Sequence, residues 1–145
     1  MNHMRTSIRT LFILVALALM PELSAGVSTT AVGWESINGA GPGRPTLSSI
    51  TWRTASFGAL SVKDPATSDW IELRHLGTKR NDSSLGAMFI GKCDDGRRVQ
   101  VTLIGKPYYA PTRFEYSLTF SKGAAERMFY GNCSDDLVGC FKANR

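Results

Sequence analysis

Two adjacent carboxylates and two adjacent arginines follow a cysteine in the segment GKCDDGRRVQVTLIG. Such a cluster can be a catalytic or metal site, or it can be the turn that joins two strands. Asp95-Gly96 between two apolar runs is a strong hairpin signal. A type I′ turn needs positive φ at both central residues, and Asp and Gly tolerate positive φ best. The alternating acids and later glutamate of a calcium loop are missing. The segment therefore predicts a structural turn, with Arg97 and Arg98 as solvated partners of Asp94 and Asp95.

Catalytic motifs are scarce elsewhere in the chain. A cysteine nucleophile needs a base, and beyond the first 25 residues the sequence holds one histidine, His75. Period-two alternation places His75 on the face of Ile71 and Leu73, which favours a partly buried structural histidine. No G-x-S-x-G, H-E-x-x-H or paired C-x-x-C motif occurs. We predict no catalytic residue, metal or cofactor. The alternative is a small exported hydrolase that uses His75 with a nearby carboxylate, Asp94 or Asp95.

A binding surface is the favoured interpretation of the remaining polar residues. Cations concentrate around one hairpin, and two tyrosines occupy the next loop, GKPYYAPT, between two prolines. Tyrosines in a stiffened loop beside cations can stack on sugars or anchor a protein contact. The predicted binding residues are Lys92, Arg97, Arg98, Lys106, Tyr108 and Tyr109.

The three cysteines are an odd number, which matters in an oxidising compartment. A meander places Cys93 at one end of the strands, and Cys133 and Cys140 at the other. Cys133–Cys140 is therefore the favoured disulfide, which leaves Cys93 unpaired, able to link a dimer or to lie buried. A Cys93–Cys133 bridge is the second choice and would contradict the meander.

The N-terminal segment has the order of a secretory signal. Arg5 and Arg9 precede an apolar run from Leu11 to Met20, and small residues follow at Ser24 to Gly26. The run is half the roughly 20 residues that span a bilayer. Cleavage after Ala25 or after Gly26 is expected, with no membrane anchor afterwards. The protein is predicted to be exported, either to a periplasm or to the extracellular medium.

The formal net charge of the whole chain is +5, and loss of residues 1–25 would lower it by one. This balance allows weak attraction to polyanions but indicates no specific nucleic-acid motif. Residues 26–49 contain NGAGPGRP and predict a Gly/Pro-rich flexible arm. Residues 50–145 then form one domain.

Period-two alternation dominates from Ile50 onward. The clearest run is RFEYSLTF, in which Phe114, Tyr116, Leu118 and Phe120 alternate with polar residues. ITWRTASF, DWIELRHL and RVQVTLI alternate as well, while LGAMFIG and ERMFYGN are less regular. Short connections and the lack of helical crossovers predict an all-β fold, a small antiparallel meander barrel or sandwich of six to seven strands. A short helix near 124–130 is the alternative to a strand there.

The segment KCDDGRRVQVTL resembles the opening strand pair of small exported β-barrel lysozyme inhibitors. The resemblance covers Lys92 to Leu103, and the Ser-Gly inhibitory loop of that family is absent, so no residue role is carried over. Together these observations predict a small exported, non-catalytic binding or inhibitor-like module. Its expected partner is an extracellular or envelope protein or glycan.

Overall fold

Eight antiparallel strands form the fold in the computed structural model, which describes residues 27–37 and 46–145. The strands are β1 (Val27–Ile37), β2 (Thr46–Thr54), β3 (Leu60–Lys63), β4 (Trp70–Arg80), β5 (Leu85–Lys92), β6 (Arg98–Lys106), β7 (Arg113–Lys122) and β8 (Ala125–Asn132). One helix, α1 (Asp135–Ala143), follows them. The predicted signal segment 1–25 lies outside the described residues.

Each strand pairs with its neighbours in sequence, and β1 pairs with both β2 and β8, which closes the sheet into a barrel. The predicted all-β antiparallel meander is therefore confirmed. We call the end with the β3–β4, β5–β6 and β7–β8 turns the upper end. The lower end carries the β2–β3, β4–β5 and β6–β7 connections together with α1.

The apolar side chains of the alternating strands fill the barrel interior, as the sequence predicts. On β7, Tyr116, Leu118 and Phe120 are buried, whereas the residues between them are partly exposed. On β2, Ile50 and Trp52 point inward and are almost fully buried. The Trp52 and Tyr116 rings meet edge to face, with centroids 5.2 Å apart. These side chains make the interior a packed core.

Strands β1 and β3 lie where the sequence gives no strand signal. β1 and the first residues of β2 occupy parts of the predicted flexible arm, and that prediction is corrected for 27–37 and 46–49. Pairing between β1 and β2, and of β1 with β8 over residues 33–37, supplies the backbone hydrogen bonds of these strands. The NGAGPGRP segment lies outside the described residues. β3 is too short for its alternation to stand out, although Leu60 and Val62 are buried.

The alternative helix near 124–130 is wrong, because those residues belong to the β7–β8 turn and β8. Pairing with both β7 and β1 overrides the helix propensity of Ala-Ala-Glu-Arg-Met. The helix lies further along, at α1, where the adjacent aspartates Asp135 and Asp136, like those of the CDDG segment, predict a turn from sequence. Asp135 and Asp136 lie in its first turn, where carboxylates stabilise the positive end of the helix dipole.

Helix α1 covers the lower end of the barrel. Leu137, Cys140 and Phe141 are its buried residues. The Phe141 ring packs against Phe114 at a centroid distance of 5.5 Å. Asn144, the C-cap residue, donates from Nδ2 to the Gly58 carbonyl at 2.8 Å, which ties the helix end to the β2–β3 turn. In the part of the chain that is described, no helix has the length and apolar character to cross a bilayer.

Candidate functional site

The β5–β6 hairpin at the upper end is the turn that the sequence predicts, but of another type. The Gly96 N–H donates to the Cys93 carbonyl at 3.0 Å, and the Cys93 N–H donates to the Arg97 carbonyl at 2.8 Å. Gly96 has φ of 91°, whereas Asp95 does not have positive φ. This is a type I turn closed by a left-handed glycine, in place of the expected type I′ turn. Only the glycine position needs the left-handed region.

Asp64 is the most buried carboxylate of the upper end, at 1% exposure, in the β3–β4 turn. It accepts hydrogen bonds from the Ala66 N–H at 2.9 Å and from Thr67 Oγ1 at 3.1 Å. Arg97 donates to both of its oxygens. Burial alone would raise the pKa of the Asp64 carboxyl, but these hydrogen bonds and the Arg97 charge outweigh burial and hold that pKa below its ordinary value. Asp64 is therefore ionised and fully partnered.

Arg97 is enclosed by carboxylates on two sides. Its terminal nitrogens bind Asp64, and its Nε donates to Asp95 Oδ2 at 2.8 Å. The pKa of the guanidinium rises through its hydrogen bonds with Asp64 above all. Its charge is thus neutralised within the protein, and its side chain is only 18% exposed. Arg97, a predicted binding residue, is instead the clamp that joins the β3–β4 and β5–β6 turns.

Cys93 lies directly behind this clamp and is 7% exposed. Its Sγ is 3.8 Å from Asp64 Oδ2. Burial raises the pKa of the Cys93 thiol to about 11, and the carboxylate of Asp64 acts in the same direction. A thiol that stays protonated beside a carboxylate is a poor nucleophile. The geometry suits Cys93 to packing.

A small cleft of about 140 Å³ opens beside the clamp. Trp70, at the start of β4, lines it together with Asp69, Lys92 and Asp94. The Arg53 guanidinium lies 4.1 Å from the centroid of the Trp70 ring. The cleft therefore combines an aromatic wall with polar side chains.

The Tyr108-Tyr109 loop lies at the opposite, lower end. Tyr108 stacks with Arg80 of β4, whose guanidinium carbon lies 3.9 Å from the centroid of the Tyr108 ring. Tyr109 meets Tyr108 edge to face at 5.5 Å and is itself 76% exposed. Lys106 pairs with Glu115 at 3.2 Å on the same side of the barrel. The loop thus presents one tyrosine outward and holds the other against a cation.

The predicted binding residues do not form one surface. Lys92, Arg97 and Arg98 lie at the upper end, and Lys106, Tyr108 and Tyr109 lie at the lower end. Strand β6 separates the groups by about 26 Å, since a strand rises about 3.3 Å per residue. Closeness in sequence is misleading here because each strand of a meander carries the chain from one end of the barrel to the other.

The residues of the alternative hydrolase are not brought together. His75 pairs with Phe89, and its ring packs against Phe89 at a centroid distance of 5.2 Å. Phe89 is separated from Asp94 by roughly 16 Å along β5 and its turn. His75 is also exposed, whereas partial burial was expected. β3 begins at Leu60, opposite Leu73, so β4 has no pairing with β3 beyond Leu73. No group of three metal-ligating side chains occurs among residues 27–37 and 46–145.

The cysteines differ from the sequence prediction. Cys93, Cys133 and Cys140 are all free thiols, so the predicted Cys133–Cys140 disulfide is not formed. The reason is α1, which turns Cys140 into the core, where its Sγ lies 3.2 Å from the Gly58 carbonyl oxygen. Cys93 and Cys133 do lie at opposite ends of the barrel, as the meander predicts.

Sequence reasoning missed Asp64 and Trp70. Asp64 lies in KDPATSD, which reads only as a loop, although Asp followed two and three residues later by Ala66 N–H and Thr67 Oγ1 donors is the pattern of an Asx turn. Trp70 lies in the alternating segment DWIELRHL, which predicts only a strand, and nothing in that pattern marks it as a site residue. No family model, curated protein or solved structure matches the chain.

Proposed function

We propose that this chain is an exported, non-catalytic binding module whose lower end recognises an acidic surface of an extracellular or envelope protein. The stacked Arg80–Tyr108 pair beside the exposed Tyr109 carries the proposal. Tyrosine and arginine are, with tryptophan, the residue types most enriched among the energetically dominant positions of protein interfaces. Here both are ordered before any partner arrives.

Order before binding matters because immobilising a long side chain on association costs about 0.5–1.5 kcal/mol. The stack with Tyr108 fixes the Arg80 side chain, and Pro107 and Pro111 flank the tyrosines and stiffen the loop. Tyr109 then provides a large amphipathic side chain that is free to enter a pocket on the partner.

Charge favours an acidic partner. Lys79, Arg80 and Arg113 lie at the lower end and form no ion pair with other described residues. The chain as a whole is basic, with a formal net charge of +5. Opposite charge on the partner would raise the rate of encounter, and this contribution weakens as salt is added.

Site-specific photo-crosslinking tests the proposal. A photoreactive phenylalanine analogue replaces Tyr109, and a matched control carries it at Tyr130, a partly exposed tyrosine on the barrel wall. Both proteins are irradiated with host envelope extract or culture medium, and the adducts are identified by mass spectrometry. We expect one abundant protein adduct at Tyr109 that is absent at Tyr130.

The identified partner is then purified, and its affinity is measured by calorimetry. The double variant Arg80→Ala/Tyr109→Ala should weaken binding at least tenfold, whereas Lys92→Ala/Arg98→Ala at the upper end should retain it. Equal losses in both variants, or adducts at Tyr130 alone, would remove the lower end as the binding surface.

A further inference from the structure

The cleft at the upper end holds a set of polar groups that the fold does not use. The side chains of Asp69, Lys92 and Asp94 line it and form no ion pair with the rest of the described chain. Asp64 and Arg97 form the floor but are saturated by each other and by the turn. These three side chains are therefore available to a ligand in the cleft, whereas the floor of the cleft is held by its own hydrogen bonds.

The turns that surround the cleft are linked to one another. Three connections hold them: the Asp64–Arg97 pair, the Arg97–Asp95 pair, and the bond from Lys122 Nζ to the Asp95 carbonyl at 2.7 Å. They join the β3–β4, β5–β6 and β7–β8 turns into one unit. A site that is ordered beforehand loses little entropy when a ligand binds.

Trp70 forms the apolar wall. Besides Arg53, the Lys63 ammonium lies near its ring, 5.9 Å from the centroid. Both contacts hold the indole in place through cation–π attraction. They also place positive charge beside the ring, so a second cation brought to it from a ligand would be repelled.

The volume of the cleft and the charges that line it indicate which class of ligand it could bind. The cleft has the volume of about four or five water molecules, far below the 300 Å³ or more of a cofactor pocket. Four carboxylates and two cations line it, which disfavours an anionic ligand. An aromatic wall with carboxylate acceptors and an ammonium donor suits a ring that has apolar C–H faces and many hydroxyl groups.

We propose that this cleft is a neutral-carbohydrate subsite that takes one sugar ring. The ring stacks on Trp70, its hydroxyl groups donate to Asp69 and Asp94, and Lys92 donates to a ring or hydroxyl oxygen. The site is independent of the lower end, so a glycan and a protein would bind at opposite ends of the barrel.

Titration followed by NMR tests this inference. Chitotriose, cellotriose and maltotriose are each added to ¹⁵N-labelled protein up to about 10 mM, which covers the millimolar affinity of a single ring contact. We expect at least one of them to shift the Trp70 indole N–H signal and the Lys92 and Asp94 amides. The Trp70→Ala variant should weaken that binding about tenfold, and Trp70→Phe should retain most of it.

Tyr109→Ala at the lower end is the matched control and should bind the sugar as the wild type does. Unchanged amide spectra away from the cleft establish that the Trp70 variants are folded. Absence of shifts with all three sugars overturns the proposal. The proposal is also overturned if tetramethylammonium shifts the Trp70 indole N–H signal and none of the sugars does, because that result would define a cation site.

Discussion

Arg97 reaches across the upper end of the barrel and donates from both terminal nitrogens to the buried carboxylate of Asp64. The two residues belong to different turns, at the β5–β6 and β3–β4 connections, and each also has a hydrogen bond within its own loop. An arginine that the sequence presents as free surface charge is thus committed to holding two turns together.

Loss of this pair should lower the stability of the protein. Arg97→Met leaves the buried Asp64 carboxylate without a cation, and Asp64→Asn leaves Arg97 paired only with the more exposed Asp95. Each variant should therefore reduce the free energy of unfolding by about 2–4 kcal/mol. Urea unfolding followed by circular dichroism measures the change. Arg98→Ala next to the clamp is the control and should stay within about 0.5 kcal/mol of the wild type. Equal behaviour of Arg97→Met and Arg98→Ala would contradict the structural role of the pair.

Stability should also fall in acid through Asp64. Its folded pKa lies below the value of about 3.9 for an unfolded aspartate, so the folded state binds the proton less readily. The contribution is complete above that unfolded value and is lost as the pH falls through the folded pKa. Urea midpoints between pH 7 and pH 2 should therefore decline more steeply for the wild type than for Asp64→Asn. Parallel declines would assign the acid sensitivity to other carboxylates.

All three thiols should be free and slow to react. Burial raises the pKa of Cys93 and Cys140 to about 11 and that of Cys133 to about 12. At pH 8 the reactive thiolate is therefore rare in the folded protein. Protein purified without reductant should take up little iodoacetamide when folded and three equivalents in guanidinium chloride, as read by intact mass. Uptake of a single equivalent after unfolding would instead show a disulfide.

The contact between α1 and the barrel should depend on Gly105. A Cβ at this position would lie 2.8 Å from the Phe141 ring and 2.9 Å from Pro111. Gly105→Ala should therefore destabilise the fold by about 1–3 kcal/mol. Thermal unfolding measures the effect.

Gly139→Ala is the matched control for that substitution. Gly139 is an exposed residue within α1, and a Cβ there meets nothing within 4 Å. Since alanine favours a helix over glycine, this variant should be more stable by up to about 1 kcal/mol. A stabilising Gly105→Ala would mean that α1 does not pack on the barrel as described.

Alternation identified β2, β4, β6 and β7 because each has one wet and one buried face, whereas β5 and β8 were recognised only by their apolar and aromatic residues. Alternation failed for β1, whose sequence has no regular apolar period and which is held by its pairing with β2 and β8, and for β3, whose four residues are too few to show a period. Helix α1 was missed because its two aspartates read as a turn, although they sit at its N-terminus.

The candidate sites were harder to predict for a geometric reason. Asp64 and Arg97 are far apart in sequence, and only the barrel places their turns side by side. The same meander separates Arg98 from Tyr108, which the sequence suggests as neighbours. The local sequence pattern predicts which face of a strand a residue occupies. Which residues lie at the same end of the barrel depends on the topology of the whole sheet.

The pairing of β1 with β8 has a consequence for how the chain folds. Gly33 lies opposite Gly131, so the barrel closes through a contact between its first and last strands. Contacts of such long sequence separation slow folding, because the loop between them must be closed first. A ribosome that has released only β1 to β7 leaves a sheet with two unpaired edges. Closure of the barrel must therefore follow release of the last strand, and the nascent chain would remain accessible to chaperones until then.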